Sequence, residues 1–140
     1  MDEKTLIEIA EKARLSAYAP YSHFTVGAAL ETASGNVYLG CNVENASYSA
    51  TCCAERVAFQ TAIANGERIF KRIAIVGGSA NSTVQTTPCM PCGICRQVMR
   101  ELCKDSFEIL VTDREKVKSY SLAELLPGAF SKNSLNVTEG

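Results

Sequence analysis

Two short, mostly apolar runs set the strongest limit on how this chain of 140 residues can fold. They read RIAIVGG at 72–78 and FEILVTD at 107–113. Both have the length and composition of buried strands, and a helix from about Cys92 to Cys103 is predicted between them. Because buried strands that alternate with helices need cover, the pattern predicts one sheet with helices on its faces.

The rest of the chain supplies further elements of the same kind. Residues 3–17 carry apolar residues at helical spacing, and Pro20 ends that helix because it disfavours helical geometry at the residue before it. Four more elements are predicted from apolar pattern and turn or cap signals: strands over 24–31 and 36–43 joined as a hairpin, a helix over 53–65, and, after a short edge strand, a serine-capped helix over 121–127.

The bulk properties favour one domain and a small substrate. With 46% apolar residues the chain can build one core, so we expect a single domain over 1–130 and a polar tail over 131–140. No run approaches the roughly 18 apolar residues of a membrane helix, and the N-terminal segment lacks the features of a signal peptide. The net charge of −1, without a basic stripe, argues against nucleic acid as a partner. We expect a cytoplasmic protein.

Seven cysteines are many for such a chain, and their odd number rules out a full set of internal disulfides. In a reducing compartment, clustered cysteines are more typical of metal binding or catalysis. TCCAER, which contains Cys53, and PCGIC, which contains Cys92 and Cys95, each stand at the start of a predicted helix. The partial positive charge of a helix start stabilises thiolates, which are the form that binds metals.

Three thiolates from two helix starts are typical of a catalytic zinc site. Cys92 and Cys95, three residues apart, can point to one spot, and Cys53 would complete a three-ligand set that leaves one coordination position open. Zinc held in this way lowers the pKa of a bound water. Glu55 is the neighbouring acid, and Arg56 could donate hydrogen bonds to the thiolates and offset their excess negative charge.

Other interpretations of the cysteines stay open at this point. Cys89 or Cys52 could be a fourth ligand of a structural zinc site, although Pro91 keeps Cys89 off the helix face. Cys92 and Cys95 could instead form a redox pair, which would leave Glu55 and Arg56 without a role. For Cys41 and Cys103 we expect ordinary core packing.

Five ordered motifs then give a resemblance that spans about residues 14–130. Cys-Ala-Glu followed by Pro-Cys-x-x-Cys is similar to the zinc-dependent deaminase signature, with Cys53 in the place where other members have histidine. Together the motifs resemble the small homotetrameric cytidine deaminases; Met90 departs from the small hydroxyl residue common before Pro-Cys. The motifs are YAPYSHFTVGAAL, GCNVENASY, CCAER, PCGICRQV and LLPGAF.

The resemblance implies a three-layer α/β/α domain with a five-stranded mixed sheet. It implies hydrolytic deamination of cytidine and deoxycytidine to the uridine forms plus ammonia, a step of pyrimidine salvage. Cys53, Cys92 and Cys95 would hold Zn²⁺. Glu55 would move protons from the attacking water to ring N3 and to the departing amino group.

It also implies a set of substrate contacts. Phe24 would pack on the pyrimidine and the backbone of Ala54 would contact the base. Asn42 and Glu44, two apart at a strand end, would hold the ribose. A negative Glu44 near the sugar, without a nearby cluster of basic residues, favours nucleosides over nucleotides. In a homotetramer, Tyr48 and Phe130 would close a neighbouring subunit's site.

His23, outside every motif, is expected in a turn at the surface. Two alternative functions remain at this stage. A blasticidin-type deaminase shares the zinc motif, but the ribose motif NVENASY speaks against it. A non-catalytic, zinc-stabilised interaction module would not need Glu55, Asn42 and Glu44 around an open site.

Overall fold

The structure is a computed structural model that describes residues 1–81, 88–113 and 116–135. Four α-helices and five strands make up these segments. The helices are α1 (Glu3–Ala13), α2 (Ala54–Ala64), α3 (Gly93–Leu102) and α4 (Leu122–Leu125), and the strands are β1 (Phe24–Thr32), β2 (Val37–Cys41), β3 (Phe70–Ser79), β4 (Glu108–Thr112) and β5 (Val117–Ser121).

The five strands form one mixed sheet in the order β2-β1-β3-β4-β5. β1 pairs antiparallel with both β2 and β3, β3 pairs parallel with β4, and β5 closes the edge antiparallel to β4. The parallel pair consists of the two apolar runs with α3 as their crossover, as the sequence predicts. The predicted short edge strand is β5.

Alternating residues of the sheet bury two separate cores. On one face, Leu30, Ile73 and Ile109 pack with residues of α2, α3 and α4, among them Phe59. On the other face, Ala29, Ala74 and Leu110 pack against Leu6 and Ala10 of α1. Because side chains alternate across a strand, neighbouring residues serve opposite layers. The predicted three-layer α/β/α arrangement is therefore confirmed.

Two glycines let the helices lie unusually close to the sheet. A Cβ on Gly27 would lie 2.0 Å from the carbonyl oxygen of Ala10 in α1. A Cβ on Gly40 would lie 2.1 Å from the carbonyl oxygen of Ala54, the first residue of α2. Any larger residue at Gly40 would push the start of α2 away from β2, so this glycine fixes where Cys53 and Glu55 sit.

Among the element ends that differ from the sequence prediction, two involve Tyr18. The α-helix expected over 3–17 ends at Ala13 and continues only as a 3-10 turn over Arg14–Ser16. The strand expected over 36–43 ends at Cys41. Tyr18 instead forms an isolated bridge with Val43, and Val43 pairs with Cys52 on its other side. These long-range pairings, invisible to local periodicity, decide where both elements end.

The structure describes the region after α4 as far as Leu135. Residues Lys132–Leu135 form a 3-10 turn, and an ion pair of 3.4 Å joins Lys132 Nζ to Glu101 Oε2. The last five residues of the expected tail, and 82–87 of the expected loop before α3, lie outside the described residues. No helix in the described segments combines the length and the apolar composition needed to cross a membrane.

Candidate active site

Two cysteines occupy equivalent places at the starts of two helices. Cys53 directly precedes α2 and Cys92 directly precedes α3, both with extended backbone. Ser, Thr, Asp or Asn at this place would spend its side chain on a backbone N–H of the first turn. Neither cysteine makes such a capping bond, so both sulfurs remain available to a ligand. Cys95 adds a third sulfur from within the first turn of α3 and is 1% exposed.

The three sulfurs meet at one point between the helices. The Sγ atoms of Cys53 and Cys92 are 3.8 Å apart, and those of Cys92 and Cys95 are 3.5 Å apart. All three lie within 4.8 Å of one another, and neither Cys52 nor Cys89, although described, belongs to the group. Sulfurs at these separations can surround one tetrahedral Zn²⁺, whose Zn–S bonds are about 2.3 Å long.

Arg56 supplies positive charge to this cluster. Its Nη2 donates to Cys53 Sγ at 3.7 Å and to the carbonyl oxygen of Thr51 at 3.1 Å, and Nε is buried without a partner among the described residues. Hydrogen bonding with Cys95, together with Arg56, lowers the pKa of Cys53 to about 5, against the effect of burial. The same bond and burial hold the pKa of Cys95 well above its usual range. The cluster thus favours at least one thiolate at neutral pH.

Glu55 is the carboxyl group next to the cluster and is 4% exposed. It lies in the first turn of α2, two residues after Cys53. Burial raises the pKa of Glu55 to about 7, and the negative charge on Cys53 acts in the same direction. A carboxyl group with a pKa near neutrality can both accept and donate a proton at physiological pH, which is what general acid–base catalysis requires.

The side chain of Cys89 occupies space that is free because Gly77 has no side chain. A Cβ on Gly77 would lie 2.6 Å from Cys89 Sγ, so the thiol occupies the space above this strand residue. Burial raises the pKa of Cys89 to about 12. A neutral thiol packed on the sheet is a core residue, as is Cys103, which packs against the same core.

The expected ribose contacts are tied to the backbone at the start of β1 and directly before it. The side chain of Asn42 accepts from Val26 N at 2.9 Å and donates to the carbonyl oxygen of Phe24 at 2.9 Å. Glu44 accepts from Tyr21 N at 3.0 Å and from both Ser22 N and Ser22 Oγ. These bonds lower the pKa of Glu44, the Ser22 hydroxyl being the largest cause.

These bonds leave capacity for a ligand. The Asn42 amide keeps its second N–H and a second lone pair, and a carboxylate offers about four acceptor sites. Each side chain can therefore keep its bonds to the backbone and contact a sugar at the same time. The loop itself turns at His23, which is exposed and has a φ of 56°, so the expected turn position of His23 is confirmed.

Three aromatic rings expected to contact substrate lie in the open. Phe24 is 43% exposed, Tyr48 is 75% exposed and Phe130 is 59% exposed. Tyr48 contacts Tyr21 edge to face, with ring centroids 6.0 Å apart. Ala54, in contrast, is fully buried at the first position of α2, where its backbone N–H is one of the groups a helix leaves unpaired.

Sequence reasoning missed three residues that hold this site together. Gly40 leaves room for the start of α2, Arg96 donates to the carbonyl oxygen of Pro91 directly before Cys92, and Gln97 donates to the carbonyl oxygen of Phe130. The signal for the last two was their place directly after Cys95 in PCGICRQV, where polar residues on a short helix need partners.

A groove among the described residues lies away from the thiol cluster. Its volume is about 690 Å³, and it runs between the start of β3, the end of α3 and the segment after α4. None of the predicted site residues lines it. Two of its basic residues, Arg100 and Lys132, are paired with Asp105 and Glu101. The thiol cluster, by contrast, combines three possible metal ligands with a buried carboxyl group, and it is therefore the candidate active site.

Comparison with known proteins agrees with the geometry. Residues 1–110 match the family model described as the cytidine and deoxycytidylate deaminase zinc-binding region. The chain is 46% identical over 137 residues to a cytidine deaminase of Sporosarcina psychrophila, covering 97% of this chain and 96% of the relative.

Solved structures and a second enzyme class add to this comparison. The crystal structure of cytidine deaminase from Burkholderia pseudomallei is 50% identical, with a TM-score of 0.85, over 93% of this chain and 100% of that one. A blasticidin-S deaminase of Bacillus cereus is 28% identical over 130 residues, covering 91% of each chain.

Proposed function

This chain belongs to the zinc-dependent cytidine and deoxycytidylate deaminase family, and we propose that its thiol cluster and Glu55 form the site where free cytidine and deoxycytidine lose their amino group. The chain is a hydrolase whose reaction is cytidine deamination with Zn²⁺ as cofactor. The observation that carries the proposed site is the meeting of three sulfurs beside a buried carboxyl group. Roles within the site are argued residue by residue below.

The sulfur cluster fits Zn²⁺. Cys53, Cys92 and Cys95 would hold the ion, because three soft donors converge on one point and Arg56 offsets part of their negative charge. When bound, Zn²⁺ would lower the pKa of a water molecule and so supply the nucleophile of the reaction.

Glu55 carries the proton transfers. Its carboxylate accepts a proton from the nucleophilic water and delivers it to ring N3, which makes C4 of the cytosine more electrophilic, and the water oxygen bonds to C4. Glu55 then takes the remaining proton from that oxygen and passes it to the amino group, which leaves as ammonia while the C4 oxygen becomes the uracil carbonyl. One group suffices for both steps because burial keeps its pKa near 7. Its place in the first turn of α2, two residues after Cys53, supports this role.

Arg56 keeps the thiolates less electron-rich. Three thiolates and one Zn²⁺ carry a net charge of −1, which weakens the metal as a Lewis acid. The hydrogen bond from Arg56 Nη2 to Cys53 Sγ withdraws charge from one ligand. Arg56 is thus a positioning residue that acts on the chemistry through Cys53.

Nucleoside recognition would use the backbone and side chains around the cluster. The Phe24 ring would pack on the pyrimidine, and the backbone of Ala54 would contact the base. Asn42 and Glu44 would bind the ribose hydroxyls with the capacity left by their bonds to the start of β1 and to the loop before it. The negative Glu44 repels a 5′-phosphate, which supports nucleosides over nucleotides.

The proposal extends to assembly and place. Tyr48 and Phe130, two exposed rings, would close the site of a neighbouring subunit in a homotetramer. Seven cysteines without a disulfide are typical of a reducing compartment, which supports a cytoplasmic enzyme of pyrimidine salvage. Residues 1–130 would form the catalytic domain and 131–140 its polar tail.

The alternatives are less well supported. The identity to the blasticidin-S deaminase of Bacillus cereus, 28%, is well below the 46% to the cytidine deaminase of Sporosarcina psychrophila. A zinc-stabilised interaction module gives no reason for a carboxyl group that is 4% exposed next to an incomplete ligand set.

One assay separates these functions. The loss of ultraviolet absorbance that follows deamination is measured with cytidine, deoxycytidine, cytidine monophosphate and blasticidin S, with and without a chelator. We expect turnover of the two nucleosides, little of the monophosphate or blasticidin S, and loss of activity after metal removal. Turnover of blasticidin S alone, or of nothing despite bound zinc, would refute the proposal.

A further inference from the structure

We propose that Arg96 and Gln97 are positioning residues that hold the segment Leu125–Phe130 against the loop carrying Cys92, and so fix where the Phe130 ring meets a nucleoside. The inference rests on the proposed function, because it takes Phe130 to be a substrate contact. Three hydrogen bonds of 2.8 Å each carry it.

Arg96 joins two backbone carbonyls that no helix bond satisfies. Its Nε donates to Pro91 O, directly before Cys92, and its Nη1 donates to Leu125 O, at the last residue of α4. Both bonds are partly buried. The guanidinium is a planar fork with donors in fixed directions, so one side chain sets the spacing of two segments 34 residues apart. A lysine, with one ammonium group, would not hold both carbonyls in that geometry.

Gln97 extends the same contact to the end of the segment. Its Nε2 donates to the carbonyl oxygen of Phe130. The Phe130 ring is 59% exposed, so packing within the chain does little to place it and the backbone bond matters more.

The three consecutive residues Cys95, Arg96 and Gln97 therefore connect the thiol cluster, the loop of Cys92 and the segment that ends at Phe130. The first supplies a sulfur to the cluster, the second fixes the loop of Cys92, and the third fixes the carbonyl of Phe130. Because they lie on one rigid turn of α3, the helix rather than a flexible loop sets where the Phe130 carbonyl lies, and so where the Phe130 ring is presented to a neighbouring subunit's site. Gln97 should then affect nucleoside binding alone, and Arg96 should affect both metal retention and binding.

The first test replaces Gln97 by its isostere. In Gln97→Glu a carboxylate oxygen faces the carbonyl of Phe130 in place of a donor. We expect KM for cytidine to rise about three- to tenfold, the value of one hydrogen bond, with kcat within about twofold and zinc content unchanged. The matched control is Asn65→Asp, which removes an equivalent exposed bond from Asn65 Nδ2 to Thr61 O, 2.8 Å long, and should leave KM as it is.

The second test is Arg96→Lys, which retains the charge and gives up the fork. We expect zinc transfer to a chromogenic chelator to be about tenfold faster, together with a higher KM. The control is Arg68→Lys, because Arg68 Nη1 also donates to two carbonyls, those of Ile63 and Glu67, away from the site. Thermal melting shows whether each variant is folded.

Amide hydrogen exchange of residues 125–131 gives a readout that does not need activity. Faster exchange there in Gln97→Glu, but not in Asn65→Asp, would support the positioning role even if the wild-type protein failed to deaminate cytidine, in which case only the proposed function falls. Unchanged exchange with an unchanged KM, or a KM that rises equally in both variants, would overturn the inference.

Discussion

The thiol cluster and the aromatic residues that are expected to contact substrate are built in opposite ways. Cys53, Glu55 and Cys95 sit at helix starts that the core holds, with Glu55 4% and Cys95 1% exposed. Tyr48 and Phe130 stand at 75% and 59% exposure on connecting segments. The three sulfurs meet within this chain, whereas this chain leaves more than half of the surface of Tyr48 and Phe130 uncovered.

The difference separates two kinds of chemical task. Proton transfer and metal binding depend on distances held to a few tenths of an ångström, which rigid helices provide. Covering a substrate requires a part that is open before binding. Substitutions in the thiol cluster should therefore abolish the reaction, and substitutions of the exposed aromatic residues should weaken substrate binding.

The largest effect should follow removal of a cluster sulfur. In Cys95→Ala two sulfurs remain, which is too few for a stable tetrahedral site, so we expect zinc content near zero and a fall in activity of at least about 10³-fold. Metal analysis and uridine formation measure both. The matched control is Cys103→Ala, which removes a core thiol at the other end of α3. If Cys95→Ala retained one zinc per chain with normal turnover, the cluster would not be the metal site.

Removal of the proton carrier should have the next largest effect. Glu55→Gln keeps the shape of the side chain and loses its proton chemistry, so kcat should fall about 10²- to 10⁴-fold while zinc stays bound. Glu124→Gln is the control, because Glu124 also lies in the first turn of a helix and serves only its capping box with Ser121. Equal activity in both variants would reduce Glu55 to an ordinary first-turn carboxylate.

A smaller effect should follow loss of the arginine behind the cluster. Arg56→Gln leaves all three sulfurs and removes the positive charge beside Cys53, so kcat should fall about tenfold with little change in KM. Steady-state kinetics with zinc analysis separates the two parameters. An unchanged kcat would show that the thiolates need no charge compensation.

The contrast also describes what the sequence could predict. CCAER and PCGIC brought together every member of the cluster, because helix starts, spacing and residue type are local properties. The order of elements and one sheet with helices on its faces followed from the apolar pattern, and the resemblance supplied the five-stranded mixed sheet and its three layers. The ends of α1 and β2 were wrong because Tyr18 and Val43 pair across the chain.

Long-range hydrogen bonds were equally hidden. Arg96 and Leu125 are 29 residues apart, and Glu44 reaches back 22 residues to Ser22. No periodicity marks such pairs, since each depends on where two separate elements end in space. The roles of Phe24, Asn42, Glu44, Tyr48 and Phe130 therefore remain predictions.

Removal of an exposed aromatic side chain gives the next prediction. Phe130→Ala should raise KM for cytidine about fivefold and leave kcat and zinc content nearly unchanged, because an aromatic contact to the substrate is lost while the cluster is intact. Leu135→Ala is the control, as Leu135 is another exposed apolar residue of the same region.

Mixed oligomers then locate the subunit that Phe130 serves. Phe130→Ala chains have an intact cluster, and Glu55→Gln chains have an intact Phe130, so we co-express them with two tags and purify the mixture. If Phe130 closes a neighbouring site, the KM of the mixed oligomer should return toward the wild-type value. A KM that stays at the Phe130→Ala value would place the ring in its own subunit's site.

The smallest effect on activity should follow substitution of Cys89, which could be mistaken for a fourth zinc ligand. Cys89→Ala should leave zinc content and kcat within about twofold of wild type and lower the free energy of unfolding by about 1–2 kcal/mol, because only core packing is lost. Zinc loss in this variant would contradict the three-sulfur site.

A second substitution tests whether packing on the sheet is the whole role of Cys89. Gly77→Ala places a Cβ 2.6 Å from Cys89 Sγ, so it should destabilise the wild-type protein. In the Cys89→Ala background that sulfur is gone, and the same change should cost measurably less, although the Cys89 Cβ and Val26 still lie close. Denaturant unfolding of the four proteins gives the coupling energy. Strict additivity would mean that the thiol does not occupy the space above Gly77, and Cys89 would then need another explanation for its burial.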